Sequence, residues 1–240
     1  AVVAVMIFPA GLTAGTAVID TCKAPDAGGT ADLPAPCPFE SPTEFMYIIN
    51  GLPPGSNITC LSIFQDITGV LRAPGGSLGG ETESFTATLK LEMTGTGPLA
   101  GFSRSIAMMP VNSIISAAPR DTGATVQSFG LDFSQMQGQI PIGDPDFDLL
   151  RISAGTGFGM PSPGHTTLTR RPGGDWNVDS FFDITYQIDF IGAPGGPLAG
   201  MSGSTTGTIR WQQGVTVPLV ADTCTAPDAC GTADLPAPCP

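Results

Sequence analysis

Two stretches set the pattern of the chain: FTATLKLEM, Phe85 to Met93, and FDITYQIDF, Phe182 to Phe190. In each, apolar and polar positions alternate strictly. Phe85, Ala87, Leu89, Leu91 and Met93 correspond to Phe182, Ile184, Tyr186, Ile188 and Phe190. Between them fall Thr86, Thr88, Lys90 and Glu92 in the first stretch and Asp183, Thr185, Gln187 and Asp189 in the second. Successive side chains of a strand point to opposite faces, so this spacing predicts strands with one apolar, buried face and one polar face. No window carries a convincing i, i+3, i+4, i+7 stripe of a helix. The apolar runs are separated by PPG, PGG, GAPGG and SPG, which are turn chemistry. The pattern predicts an all-β fold, a β-sandwich or jelly-roll-like architecture.

The likeness extends beyond the strands. RAPGG (Arg72–Gly76) precedes the first and GPLAGF (Gly97–Phe102) follows it; RRPGG (Arg170–Gly174) and GPLAGM (Gly196–Met201) flank the second. Upstream, Ile49–Ile63 loosely matches Met136–Ile152. These matches predict two related β-units, 39–118 and 125–218. A further repeat encloses them. DTCKAPDAGGTADLPAPCP at 20–38 returns as DTCTAPDACGTADLPAPCP at 222–240, differing only at Lys23/Thr225 and Gly28/Cys230. The first tag leads directly into the first unit, so it is expected to lie against that unit.

Residues 1–19 form an N-terminal apolar arm that opens with AVVAVMIF. It could be the remnant of a signal-peptide core, yet no basic residue precedes it. A continuous apolar run of this kind needs cover on both faces. It reads as a strand, with Val3, Val5 and Ile7 donated to a neighbouring subunit by β-strand addition. Folding back onto its own sheet is the alternative.

Composition narrows the classes. Gly 32 and Pro 24 would raise the prospect of disorder, but 41% of residues are hydrophobic and they alternate, so these residues read as turns between short strands. A net charge of −12 with only two lysines, Lys23 and Lys90, excludes phosphate-backbone binding as a main activity. No run approaches the roughly 20 apolar residues of a membrane helix. Six cysteines with repeated spacing read as disulfides of an oxidising, extracellular compartment. Cys22 and Cys37 lie 15 apart, as do Cys224 and Cys239, which predicts one closed loop in each tag. Cys60 and Cys230 are left, to pair within or between chains. Asn57-Ile58-Thr59 is a glycosylation sequon.

The phrases DTC…GGTADLPAPCP, INGLPPGS, PGGSLGGE, SPGHTTL and NVDSFFDITYQIDF resemble a group of secreted bacterial β-rich proteins of no known activity. The resemblance covers most of residues 20–218. It implies secretion and a β-rich fold, and it brings no catalytic residue with it.

Candidate chemistry is sparse. His165 could join Ser162 and Asp179 in a nucleophilic triad, but no nucleophile-elbow motif accompanies it, and a histidine in the SPGH turn reads as solvated. Asp144, Asp146 and Asp148 alternate in GDPDFD and, if extended, share a face that could offer oxygens to calcium. Glu81, Glu83, Asp175 and Asp179 are the carboxylates from which a glycosidase pair would come. A sugar platform would draw on Trp176, Trp211, Tyr47 or Tyr186. Tyr186 falls on a buried face, whereas Trp176 in the PGGDWN turn looks exposed, although a lone tryptophan in a turn more often caps the edge of a core. No enzyme and no cofactor are indicated. The duplicated tag points instead to copies joined head to tail, because a contact between unlike surfaces does not close on itself; two tags seated at equivalent places on one monomer are the alternative. The expectation is a secreted structural protein that assembles with itself into a filament, tube or surface layer. An extracellular carbohydrate-binding module is the alternative.

Overall fold

The computed structural model describes residues 22–41 and 44–213. The arm with Val3, Val5 and Ile7, the second tag, and Cys224, Cys230 and Cys239 lie outside the described residues.

The strands are β1 (Lys23–Ala24), β2 (Phe39–Glu40), β3 (Met46–Ile48), β4 (Ile58–Pro74), β5 (Glu81–Gly95), β6 (Ser103–Ala117), β7 (Val126–Gln139), β8 (Phe147–Ala154), β9 (Pro163–Arg170), β10 (Trp176–Gly192) and β11 (Ser202–Gln213). All their pairings are antiparallel, and they belong to one sheet. From β2 the ladder runs through β4, β5, β6, β7, β8, β10 and β11 and returns to β2. β3 continues the line of β2 beside β4, and β9 continues the line of β8 between β7 and β10. The result is an eight-stave up-and-down barrel with hairpin connections, rather than the crossing connections of a jelly roll. The all-β expectation holds.

The alternation read from the sequence decides which face is inside. Phe85, Ala87, Leu89, Leu91 and Met93 are all buried, as are Phe182, Ile184, Tyr186, Ile188 and Phe190. Thr88 is the one polar position of the two stretches that is also buried, and it sits where both flanking ladders slip register. Inside the barrel Phe64 stacks on Trp211 at 5.3 Å and meets Phe133 at 6.0 Å; Phe133 meets Phe182 at 5.1 Å, and Phe182 meets Phe39 at 5.5 Å. These rings fill the lumen. Lys90, Glu92 and Arg210 lie outside and exposed. Apolar inside and charged outside is the reverse of a membrane-spanning barrel. Among the described residues no helix is long and apolar enough to cross a membrane.

Both repeat segments belong to this one barrel, and the repeated words build the same turn twice. The Gly95 amide donates to the Phe102 carbonyl (2.8 Å) and the Gly192 amide to that of Met201 (2.9 Å). Phe102 N–H reaches Leu99 O as Met201 N–H reaches Leu198 O, and both leucines are buried. Thr96 N–H is held by Asn57 O and Ala193 N–H by Asp146 O, each at 2.9 Å. Exchanging β4, β5, β6 and β7 with β8/β9, β10, β11 and β2/β3 maps the circuit onto itself. The barrel has an internal two-fold repeat.

Candidate functional site

One end of the barrel is formed by the last residues of β4, β9 and β11, the first of β5, β7 and β10, and the segment just after β6. The first tag closes this end as a plug. Its Cys22–Cys37 disulfide is present, with Cα atoms 5.8 Å apart. Within the loop Ala24, Ala31, Leu33 and Ala35 are buried against the barrel, and β1 adds to the start of β10 through Lys23 and Ala24.

Polar groups of the rim take hold of the plug's own carbonyls and carboxylates. Arg72 donates to Leu33 O through Nε (3.0 Å) and Nη2 (2.5 Å) and lies 3.6 Å from Asp32. Arg120 donates to Ala31 O (2.8 Å) and the Thr30 hydroxyl (3.1 Å) and pairs with Glu81. The Gln127 amide reaches Gly29 O at 2.7 Å while its carbonyl accepts from Thr30 at 2.7 Å. Trp176 Nε1 donates to Asp26 at 2.9 Å, and Arg170 stands 3.7 Å from the same carboxylate and over the indole ring. Gln213 donates to Ala35 O and Cys37 O. The indole N–H, with smaller help from the Gly29 amide and Arg170, holds the Asp26 carboxyl below its usual range. These groups come from both halves of the barrel, so the plug does not lie against the first unit alone. It sits astride the repeat.

Beneath the plug is a pocket of about 10 Å³ lined by Leu33, Phe39, Glu83, Thr166, Phe182 and Gln213 among others. That is room for about one water molecule. Glu83 is 1% exposed there, and its Oε1 has no hydrogen-bond partner among the described residues. Burial pushes its carboxyl up to about 7, with Arg72 opposing and Asp32 adding to the shift.

The other candidate residues are dispersed. Trp176, expected to be exposed, is fully buried, because Asp26 caps its polar edge from far away in sequence. Trp211 is buried with its N–H on Ser62, and Tyr186 is buried as expected. Tyr47 faces outward. The SPGH segment is no turn: Pro163 opens β9, and His165 is half-buried with its Nε2 2.7 Å from Ser128. Ser162 is turned to the main chain of Met160 and Thr185, and Asp179 is exposed, so the three do not form a triad. Glu81 is bound to Arg120, Glu83 lies under the plug, and Asp175 is exposed.

At the opposite end, GDPDFD is not one extended face. Asp144 caps the β7–β8 turn by accepting the Asp146 and Phe147 amides, and Arg104 lies 2.6 Å from Asp144 and 3.4 Å from Asp146. Asp148 is exposed on β8. Arg104 thus stands where a cation would have to sit. Among the described residues no group of three or more His, Cys, Asp or Glu side chains is gathered to hold a metal. Asn57 is half-buried, its carbonyl oxygen accepting from Thr96 at 3.0 Å. Cys60 is a buried thiol whose pKa burial raises to about 12. A bridge from it to Cys230 of another chain would require opening the core.

A scan against protein-family models, a search of curated proteins and a search of solved structures each found no match. The functional reading therefore rests on the residues themselves.

Proposed function

We propose that this chain is an extracellular structural protein that associates with copies of itself, the barrel acting as a solid block and the Cys/Pro-rich tag as its connector. The observation that supports this most is the plug. A disulfide-closed segment of small residues is gripped at the rim by three arginines, two glutamines and a tryptophan, and the same segment occurs twice in the sequence. The lumen beneath it is packed with aromatic rings, which leaves a ligand no space, and the catalytic candidates lie apart. A disulfide of this kind fits an oxidising compartment.

The test is the size distribution of the oxidised, full-length chain by light scattering and electron microscopy over a range of concentrations. Concentration-dependent multimers that vanish when residues 222–240 are removed are expected. A monodisperse monomer at every concentration would sink the reading. The carbohydrate-binding alternative keeps one observation in its favour: Phe45 and Tyr47, 41% and 37% exposed, project from the same outer face of the β3 segment. Retention on immobilised glycans, lost in Tyr47→Ala, would favour it.

A further inference from the structure

The barrel mouth contacts the first tag through residues that the second tag repeats. Asp26, which receives the Trp176 indole, recurs as Asp228; Thr30, held by Gln127 and Arg120, as Thr232; Asp32, beside Arg72, as Asp234; and Leu33, buried with its carbonyl on Arg72, as Leu235. The two cysteines recur as Cys224 and Cys239 at the same spacing. The remaining hydrogen bonds are to main-chain carbonyls of Cys22, Gly29, Ala31, Ala35 and Cys37, whose counterparts Cys224, Gly231, Ala233, Ala237 and Cys239 are identical.

The two differences fall where the mouth does not look. Lys23 is exposed, and its pairing with Asn177 is through the strand ladder, which any residue can make. Gly28 is exposed, and a Cβ added there meets nothing within 4 Å. Space is not the only requirement at that position, however. Gly28 has φ +73°, a left-handed conformation that costs a cysteine about one or two kcal/mol, which is about 5- to 30-fold in binding. The second tag is thus chemically complete for the mouth but weaker by a known cause.

We infer that the mouth is a receptor for the tag sequence as such, and that residues 222–240 of one copy seat in the mouth of a second copy of this barrel in place of its residues 22–38. The partner is a second copy because the self-association proposed above requires a contact between chains; the competition from the resident tag is the same in every copy. In its own barrel the resident tag is favoured twice: by Gly28, and by its direct continuation into Phe39, which is packed on Phe182. With two tags per chain and one mouth described, the second tag is the surplus one. The exchange is therefore concentration-dependent and easily reversed. This inference rests on the self-association proposed above and names the surfaces that carry it.

The test uses the full-length chain with Asp26→Ala and Asp32→Ala in its resident tag, titrated with a fluorescent synthetic peptide of residues 222–240 bridged between Cys224 and Cys239. Saturable anisotropy change is expected, competed by unlabelled peptide 20–38. Peptide Cys230→Gly should bind about 5- to 30-fold more tightly, because it restores the left-handed glycine. Peptide Asp228→Ala should weaken binding by about tenfold, because it strands the Trp176 indole N–H. Arg170→Gln in the barrel should weaken it less, since that pairing is partly exposed and 3.7 Å long. If the weakened chain does not fold, the unsubstituted chain at higher peptide concentration should rank the peptides in the same order. Absence of saturable binding, or binding indifferent to Cys230→Gly and Asp228→Ala, overturns the inference. Multimers by light scattering without peptide binding would defeat this inference while sparing the self-association. Specific peptide binding by a chain that stays monomeric at every concentration would establish the receptor but defeat its use between copies.

Discussion

Glu83 shows how one inward-facing charge is tolerated. It is two residues ahead of Phe85 on β5, on the same inner face, so extending the period-two pattern upstream marks it as buried; only the plug explains why an acid is tolerated there. The charged groups that face it are Arg72 from β4 and Asp32 from the plug, with Glu81 and Arg120 paired nearby. Its carboxyl rises from the ordinary 4.5 to about 7, so the folded chain keeps a proton that the unfolded chain has released between those values. Stability accordingly falls as pH rises from about 4.5 to about 7, by up to about 3 kcal/mol, and is level above that. Asp26, Asp183 and Asp189, all held below 3.8, act in the opposite sense and only at lower pH. Glu83→Gln, which keeps the shape and loses the charge, is expected to flatten the stability profile between pH 4.5 and 7 in urea titrations. A profile that keeps its slope in this variant would show that the dependence comes from elsewhere. Trp176 is the opposite case for legibility. Its neighbours in PGGDWN give no sign of burial, because the group that satisfies its N–H is Asp26, 150 positions away.

The hairpin that joins β5 to β6, and again β10 to β11, was legible as an element before it was legible as a structure. GPLAG occurs twice just after an alternating strand, two residues farther from it the second time, and it folds twice into the same hydrogen bonds. The glycines that precede the turns explain the repetition. A Cβ on Gly95 would meet the Leu99 carbonyl oxygen, and one on Gly192 that of Leu198. Gly95→Ala and Gly192→Ala are each expected to cost about 2 kcal/mol or more, since main chain must move in both. Gly101→Ala, in the same turn but with open space around its Cβ, should be near neutral in the same denaturation series. Equal tolerance of all three would mean that the close approach does not hold these turns. What the repeat could not reveal was the interruption of one stave into β8 and β9, or the plug's position across both halves. Both depend on pairings between segments far apart in sequence, and a pattern with period two carries no information about its partner.

At the scale of the whole molecule, the barrel is closed unevenly, and its weakest seam lies between β11 and β2/β3. On the equivalent side β6 and β7 share a ladder from Asn112 to Ala117, whereas β11 meets β2 only at Gln212 and Glu40. Side chains replace the missing ladder. The Glu44 carboxylate accepts the Arg210 amide at 2.7 Å, Thr205 Oγ1 accepts the Ile49 and Asn50 amides at 3.0 Å, and the Tyr186 hydroxyl accepts the Tyr47 amide at 2.9 Å. Tyr186 belongs to β10 and reaches the far side of β11 by passing Gly207, where an added Cβ would stand 2.6 Å from its hydroxyl oxygen. Tyr186→Phe keeps the ring and strands the Tyr47 amide, a loss of about 1–3 kcal/mol for a donor left without a partner. Hydrogen exchange of the full chain should then quicken at Tyr47 and its neighbours in β3 by about tenfold or more, while the amides shared by β4 and β5 hold their protection. Opening confined to the seam would identify the hydroxyl as the clasp of the barrel. Uniform loss of protection around all the staves, or none at Tyr47, would show that closure does not depend on it.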